Sequence, residues 1–438
     1  MRRSRRNTEL GLLVGAAAIT TGIYVLASLG RFSTIPANVG PFLGVVLGLL
    51  IVAHIATRRL APQADGLLLP LAGLLNGIGY VFIARLDDGL AALQSTWTFV
   101  GVGAYVATLV LVRRTRDLQR YRYTFMLAGL VLLGLPLLPV LGQEVNGARI
   151  WVNLGPLNFQ PGEFAKLALA VFFASYLVDK RELLRVSTYK LGPLNLPEPK
   201  YLGPVLLGWG ASLIVMFYER DLGSSLLFFT LFLVVLWIAT ERAAYLLMGG
   251  TLFLGGAVFA WSQFTHVQTR VDVWLDPWQD PRGDGFQIVE AAFAFGSGGL
   301  TGTGPGLGDP GRIPFAETDF IFAAIGEELG LLGATAVLVT FMLMIGTGLR
   351  IALAVENDFT KLLAAGLTTL LGVQAFIIIA GVIRVLPLTG VTLPFVSYGG
   401  SSLVANYVLL ALLVRISDEA ITLQKVEPGR PRETLSPR

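Results

Sequence analysis

The sequence predicts an all-α polytopic membrane protein with about twelve transmembrane helices, and three observations predict it. Hydrophobic residues fill 54% of the 438 positions and charged residues only 14%, with a mean hydropathy of +0.68. That balance is far from a soluble globular chain. The apolar residues come in blocks of about 20, the length that crosses ~30 Å of hydrocarbon. Basic residues gather in alternate connections, as the positive-inside rule requires of a multi-pass protein.

In chain order the blocks lie near residues 9–29, 41–57, 66–84, 96–112, 123–140, 162–178, 203–218, 221–239, 243–262, 319–349, 361–384 and 400–416. The short joints "YERD" and "TERAA" predict hairpins between neighbouring spans. With "MRRSRR" in the cytoplasm, twelve crossings return the C-terminus to the same side, together with "RRTRDLQRYR" and "DKRELLRVSTYK". The reverse orientation would invert the basic bias. The first block lacks a small-residue cleavage site, so a retained helix is expected. The polar, proline-containing residues 418–438 are expected to form a disordered tail. The net charge of +4 is then a product of topology and gives no reason to expect a nucleic-acid partner.

The chain has no cysteine and only two histidines, His54 and His266. Disulfides and thiolate chemistry are excluded, and acid–base chemistry falls to carboxylates. Polar residues concentrate in three predicted external segments, 142–166, 263–318 and 384–402. The second is long for a connection, and such loops are usually functional. It contains "WLDPWQDPRGDGFQ", rich in acids, prolines and glycines, and then the glycine run "FGSGGLTGTGPGLG". That run follows no strand and lacks a Lys-Ser/Thr ending, so it is not a nucleotide loop. A flexible connection is expected there, with a backbone cradle for pyrophosphate as the alternative.

The external basic residues are all arginine: Arg31, Arg85, Arg149, Arg220, Arg270, Arg282, Arg312 and Arg384. A guanidinium grips phosphate bidentately and stays charged where water is scarce. It also snorkels to lipid headgroups, which is the competing reading. Glu163 and Lys166, three apart, share one helical face. Charges in a span are costly, so they either pair structurally or line an outward-opening cavity where Lys166 meets an anionic substrate. Glu327, inside the tenth span, is a site candidate on the same ground, and Asp319 reads first as a helix-start residue.

Six ordered motifs carry a resemblance: "NGARIW", "FQPGEFAK", "ERDLGSSL", "DPWQDPRGDGFQ", "ETDFIFAAIGEELG" and "PLTGVTLPFVSYGGSS". On them the chain, from about residue 66 to 417, resembles the SEDS family of shape, elongation, division and sporulation proteins, and its RodA-like branch more than its FtsW-like branch. The resemblance implies a ten-helix transmembrane domain over residues 61–417, preceded here by an extra N-terminal hairpin of two helices over residues 1–60. It implies a peptidoglycan glycosyltransferase that polymerises lipid II at the outer face of the bacterial cytoplasmic membrane, beside a class B penicillin-binding protein. It implies Asp280 as the catalytic residue, in the Asp-Pro before Gly283, Gly285 and Phe286; Asp276 is the weaker candidate. The motifs further suggest substrate contacts from Trp151, Arg149, Arg220, Asp221, Arg282, Gln287, Arg312, Asp319, Glu327, Ser397 and Ser401, besides Glu163 and Lys166. The chain departs from the family pattern at Ile150, where Arg is usual before the Trp, and at the "GVIRVLP" segment around Arg384, where Asn is usual.

The implied chemistry matches the residues. One positioned carboxylate suffices to take a proton from an acceptor hydroxyl, and the departing polyprenyl pyrophosphate calls for Arg, Lys or a divalent cation. No nucleotide is needed; a divalent cation stays open, with Mg²⁺ or Mn²⁺ the class that carboxylate oxygens would suit. Two rival readings are a flippase for the same lipid and a non-catalytic scaffold of wall synthesis. Against the flippase, the polar residues crowd to one side, whereas alternating access places its site near the midplane.

Overall fold

The computed structural model describes residues 2–34, 39–139, 141–145, 148–153, 158–185, 189–191, 194–196, 210, 218–219 and 221–426. Helices α1 (Arg2–Phe32), α2 (Val39–Leu60), α3 (Leu68–Leu86), α4 (Asp88–Leu111), α5 (Arg122–Gly134) and α6 (Gly162–Asp179) precede the short α7 (Arg181–Arg185). Then follow α8 (Leu222–Thr240), α9 (Ala243–Gln263), α10 (Thr265–Leu275), α11 (Phe286–Gly298), α12 (Ile321–Ala354), α13 (Asp358–Val382) and α14 (Gly400–Val426). Every predicted span but one coincides with a helix; the block at 203–218 lies almost wholly outside the described residues. Among the described residues seven helices are individually long and apolar enough to cross a membrane, and α4 passes the same test only with the segment Thr115–Leu137, bent from it by 86°. The protein is a polytopic membrane protein.

Helix α14 sits at the centre, with 94% of its span buried, whereas α9 has only 11% buried and turns Leu252, Leu254, Val258 and Phe259 outward. Lipid tails are as apolar as leucine, so helix association rests on close packing and on polar groups with partners. Gly101 of α4 shows the packing: a Cβ there would lie 2.5 Å from the Tyr407 ring of α14. Tyr407 in turn accepts from Asn76 Nδ2 at 3.2 Å.

Two polar layers close the bundle. At one end, Arg6 pairs with Glu9, Glu9 lies 2.7 Å from His54 Nδ1, and Asp65 meets Arg350 at 2.7 Å. The predicted tail is helical here: α14 runs on to Val426, past residue 417, and residues 427–438 lie outside the described ones. The reason is tertiary. Asp418 accepts from Gln63 N at 2.6 Å, and Glu419 accepts from Thr115 N at 2.7 Å and its hydroxyl at 2.6 Å.

The other end carries what the fold class did not predict. Strands β1 (Gly142–Val145), β2 (Ala148–Asn153) and β3 (Asn158–Phe159) form an antiparallel sheet in the order β1-β2-β3, with Gln143 opposite Trp151. A hairpin of β4 (Tyr189–Leu191) and β5 (Leu194–Leu196) lies later in the chain. The long segment 263–318 is not structureless, because it holds α10 and α11. A small apolar core of Ile288, Ala291, Ala294, Ile313, Phe320 and Val382 fixes α11 to the bundle.

The glycine run after α11 corrects an expectation. It is neither a flexible connection nor a free cradle, because its amides are engaged on α12. Gly306 N donates to Glu328 Oε2 and Asp309 N to Glu327 Oε1, both at 2.8 Å. Thr303 N and Gly304 N donate to the carbonyls of Glu327 and Glu328, and Leu331 N donates back to Gly299 O. Helix α12 breaks at Gly330, whose φ of 64° lies in the left-handed region that only glycine enters freely. Arg85 Nε completes the knot, 3.2 Å from Glu328 Oε1, with the Glu328 side chain buried and that of Arg85 13% exposed.

Removing one partner of a buried ion pair typically costs ~3–5 kcal/mol, because the other charge is stranded. Arg85→Leu is expected to lower thermal stability in detergent by that order. Arg312→Gln, whose pair with Asp309 is well exposed, should cost no more than about 1 kcal/mol. Equal shifts for the two variants would contradict this assignment.

Candidate active site

Asp280 stands on the turn that joins α10 to α11, and its side chain is exposed. Its Oδ1 accepts from Gly283 N at 3.0 Å and Oδ2 from Asp284 N at 3.4 Å, while its carbonyl accepts from Gly285 N at 3.1 Å. Pro281 fixes the backbone that leaves Asp280. Glycine is required at Gly285, where a Cβ would sit 2.1 Å from Pro277 O, while one on Gly283 would sit 2.0 Å from Asp280 Oδ2 and displace that carboxylate. The sequence pattern therefore builds a tight turn that presents one oriented carboxylate. Asp276 is spent otherwise, accepting from Trp278 N at 3.1 Å.

The turn is fastened from beneath. Trp274 Nε1 donates to Arg384 O at 3.1 Å, and the Arg384 guanidinium donates to Trp274 O at 3.1 Å and Leu275 O at 3.0 Å. Arg270 Nη1 donates to Leu388 O at 3.0 Å. Arg384 and Arg270 thus clamp α10 to the segment after α13. The outer edge of the turn is apolar: Leu275, Trp278 and Phe293 are 63%, 51% and 58% exposed. Trp278 and Phe293 meet edge to face at 5.7 Å. Arg282 is exposed beside Asp280, and Gln287 lies partly exposed in the first turn of α11.

A second group of predicted residues is buried inside the bundle. Lys166 Nζ donates to Glu163 Oε1 at 2.8 Å, as their spacing suggested, and also to Gln374 Oε1 at 3.0 Å. Gln374 Nε2 donates onward to Thr392 O at 2.9 Å. Gln374 was missed in the sequence; its signal was a lone amide in the apolar run "LLGVQAFIII". Ser401 accepts from Gln160 N at 2.9 Å. Ser397 accepts from Leu393 N at 2.9 Å and donates to Thr318 O at 2.5 Å. Ser397 thus ties the segment after α13 to the entry of α12, and Ser401, in the first turn of α14, ties that helix to the entry of α6.

Asp319 and Asp221 belong to a third group. Asp319 does not cap α12, whose N-cap is Phe320 without a side-chain bond. Instead it faces Arg270 across Gly390, where a Cβ would meet Asp319 Oδ2 at 3.7 Å and Arg270 Nη2 at 3.9 Å. Burial pushes the Asp319 carboxyl up to about 6 from 3.8, against the pull of Arg270, with Glu317 and Asp221 adding to the rise. Asp221 caps α8, accepting from Ser224 N at 2.9 Å.

Other predicted residues stand apart or unassigned. Glu327 is held by the glycine run, with its Oε2 buried and unbonded among the described residues. Arg312 pairs with Asp309 at 2.7 Å on the surface. Arg149 and Trp151 alternate with Ile150 along β2, so they share one face, and Arg149 Nε is buried without a partner among the described residues. Arg220 lies outside the described residues. Among the described residues no three acidic or histidine side chains converge to hold a metal ion. No ligand set is therefore assigned to a divalent cation.

The raised carboxyl of Asp319 gives a pH dependence of definite sign. A carboxyl whose folded pKa exceeds its unfolded one is better tolerated when protonated, so its cost appears as pH rises from about 4 to about 6. Asp319→Asn should gain thermal stability relative to the parent over that window and hold the gain above it. A constant offset from pH 3 to 8 would contradict the assignment.

Comparison with known proteins bears on these groups. The family model of the FtsW, RodA and SpoVE cell cycle proteins matches residues 69–421. The peptidoglycan glycosyltransferase RodA of Mycobacterium tuberculosis is 47% identical over 428 residues, covering 95% of this chain and 91% of that protein. The probable peptidoglycan glycosyltransferase FtsW of Geobacter sulfurreducens is 34% identical over 335 residues, covering 76% and 87%. Among solved structures, a chain from a peptidoglycan synthase complex that coordinates polymerization and crosslinking superposes with a TM-score of 0.68 at 29% identity, covering 82% of this chain and 98% of that one. With the family model matching most of its length and its motifs in order, the chain belongs to the FtsW, RodA and SpoVE family.

Proposed function

We propose that this protein is a peptidoglycan glycosyltransferase of the RodA type, which polymerises lipid II with Asp280 as general base. The observation that carries the reading is the 47% identity, along nearly the whole chain, with a protein named for that activity. The lower identity of the FtsW relative, 34%, favours an elongation role over a division role. The basic bias of the connections sets the Asp280 end outside the cytoplasm.

In this mechanism the Asp280 carboxylate takes the proton of the acceptor sugar hydroxyl as that oxygen attacks the anomeric carbon of the donor. The new glycosidic C–O bond forms while the bond to the polyprenyl pyrophosphate breaks, and the electron pair leaves with the phosphate. The exposed Arg282, two residues after Asp280, is the arginine proposed to carry the developing charge. The apolar edge of Leu275, Trp278 and Phe293 suits a substrate whose tail stays in the bilayer. Lys166 is already engaged by Glu163 and Gln374, which supports a role in holding the bundle beneath the site. A solved relative from a complex that couples polymerization to crosslinking supports a class B penicillin-binding protein as partner.

Asp280→Asn separates a base from a turn cap. Asn still accepts from Gly283 N but cannot take a proton, so lipid II polymerisation should fall by about 10²-fold or more. Asp284→Asn, in the same turn, should stay close to the parent. An Asp280→Asn enzyme that polymerises at the parental rate would show that the carboxylate only shapes the turn.

A further inference from the structure

Helix α1 lies outside the residues matched by the family model, yet it is fixed at both ends. At its start, Glu9 is fully buried between Arg6 and His54, and Arg6 also donates to the Ala64 carbonyl on the connection from α2 to α3. Along its length Leu13, Ala16, Thr20 and Ala27 form the buried stripe, at helical spacing. At its far end the backbone of α1 meets the backbone of the glycine run. A Cβ on Gly30 would lie 2.4 Å from Pro305 O, and one on Gly306 would lie 2.0 Å from Ala27 O. Glycine is thus needed on both sides of one contact. Arg31 Nη1 donates to Arg85 O at 2.7 Å, and Arg85 Nη2 donates to Gly308 O at 2.9 Å. The same run holds Glu327 and Glu328 and leads directly from α11, which begins at the Asp280 turn.

We propose that α1 is a membrane-spanning strut that positions the glycine run, and through it α11 and Asp280, for glycan polymerisation, with Gly30 as a positioning residue. The link to turnover rests on the reading of Asp280 given above; the strut contact does not. The reciprocal glycines carry the argument, because direct backbone contact between a helix and a loop is rigid in a way that side-chain packing is not.

Gly30→Ala tests it with a favourable sign built in. Alanine is the better helix former, so α1 itself should not suffer, and only the contact with Pro305 is pushed apart. Amide hydrogen exchange over residues 299–308 should quicken. The kcat for lipid II polymerisation should fall by about tenfold, on the scale that small misplacements of a catalytic group cost, with KM little changed. Gly22→Ala is the control on the same helix, since nothing lies within 4 Å of a Cβ there. Should Gly30→Ala not fold, Arg31→Gln, which removes the bond to Arg85 O and the stacking of Arg31 on the Phe32 ring, is read in the same way. Parental exchange and turnover overturn the proposal. Slower turnover without faster exchange also overturns it, as does faster exchange with parental turnover. An active Asp280→Asn enzyme would instead remove the base while leaving the exchange result standing.

Discussion

The loop end of the molecule depends on two adjacent carboxylates that the chain buries inside a membrane helix. An ionisable group away from water is tolerable only with partners, and Glu327 and Glu328 take theirs from residues 303–309 and from Arg85. That demand bends the rest. Helix α12 breaks at Gly330 to admit the glycine run, α11 is drawn against α12 through Phe295 and Phe322, and Arg85 brings α3 and α1 to the same knot. Apolar packing alone would not choose this arrangement, because hydrocarbon competes equally well for leucine.

From this anchor the working parts are arranged by stiffness. Asp280 is displayed on a turn with no room for a side chain at Gly285, and a side chain at Gly283 would push the carboxylate aside, while Arg384 and Arg270 bolt the helix before it to the segment after α13. That segment is itself held by Gln374, Ser397 and Ser402. A carboxylate that must meet a hydroxyl in one orientation gains from such preorganisation. The lipid-tailed substrate proposed for this site would need the opposite, an unobstructed apolar approach, and the exposed edge at Trp278 and Phe293 suits one.

Much of this was legible in the sequence because its causes are local. Blocks of apolar residues mark spans whatever their neighbours, a Glu and a Lys three apart must share a face, and Asp-Pro before Gly-x-Gly dictates a turn. What was not legible depends on distant partners. The glycine run read as flexible because its acceptors lie 18 to 24 residues away, on the helix that follows it. The end of α14 read as a disordered tail because Asp418 and Glu419 find their donors at Gln63 and Thr115. Asp319 read as a helix-start residue, yet the residue that defines its surroundings is Arg270, on another element. The sheet at 142–159 hid among prolines and glycines that suggest a plain loop.

The central claim is that this chain is itself a polymerase of lipid-linked disaccharide, and that its loop-end carboxylate acts on substrate. Purified protein in detergent, supplied with lipid II alone, tests it most directly. No bilayer then separates two compartments, so transport cannot pass for synthesis, and a scaffold has nothing to assemble. The account predicts glycan chains that lengthen with time and are cleaved by a muramidase. Lipid II recovered unchanged, with the protein folded and supplied with its transpeptidase partner, would contradict it.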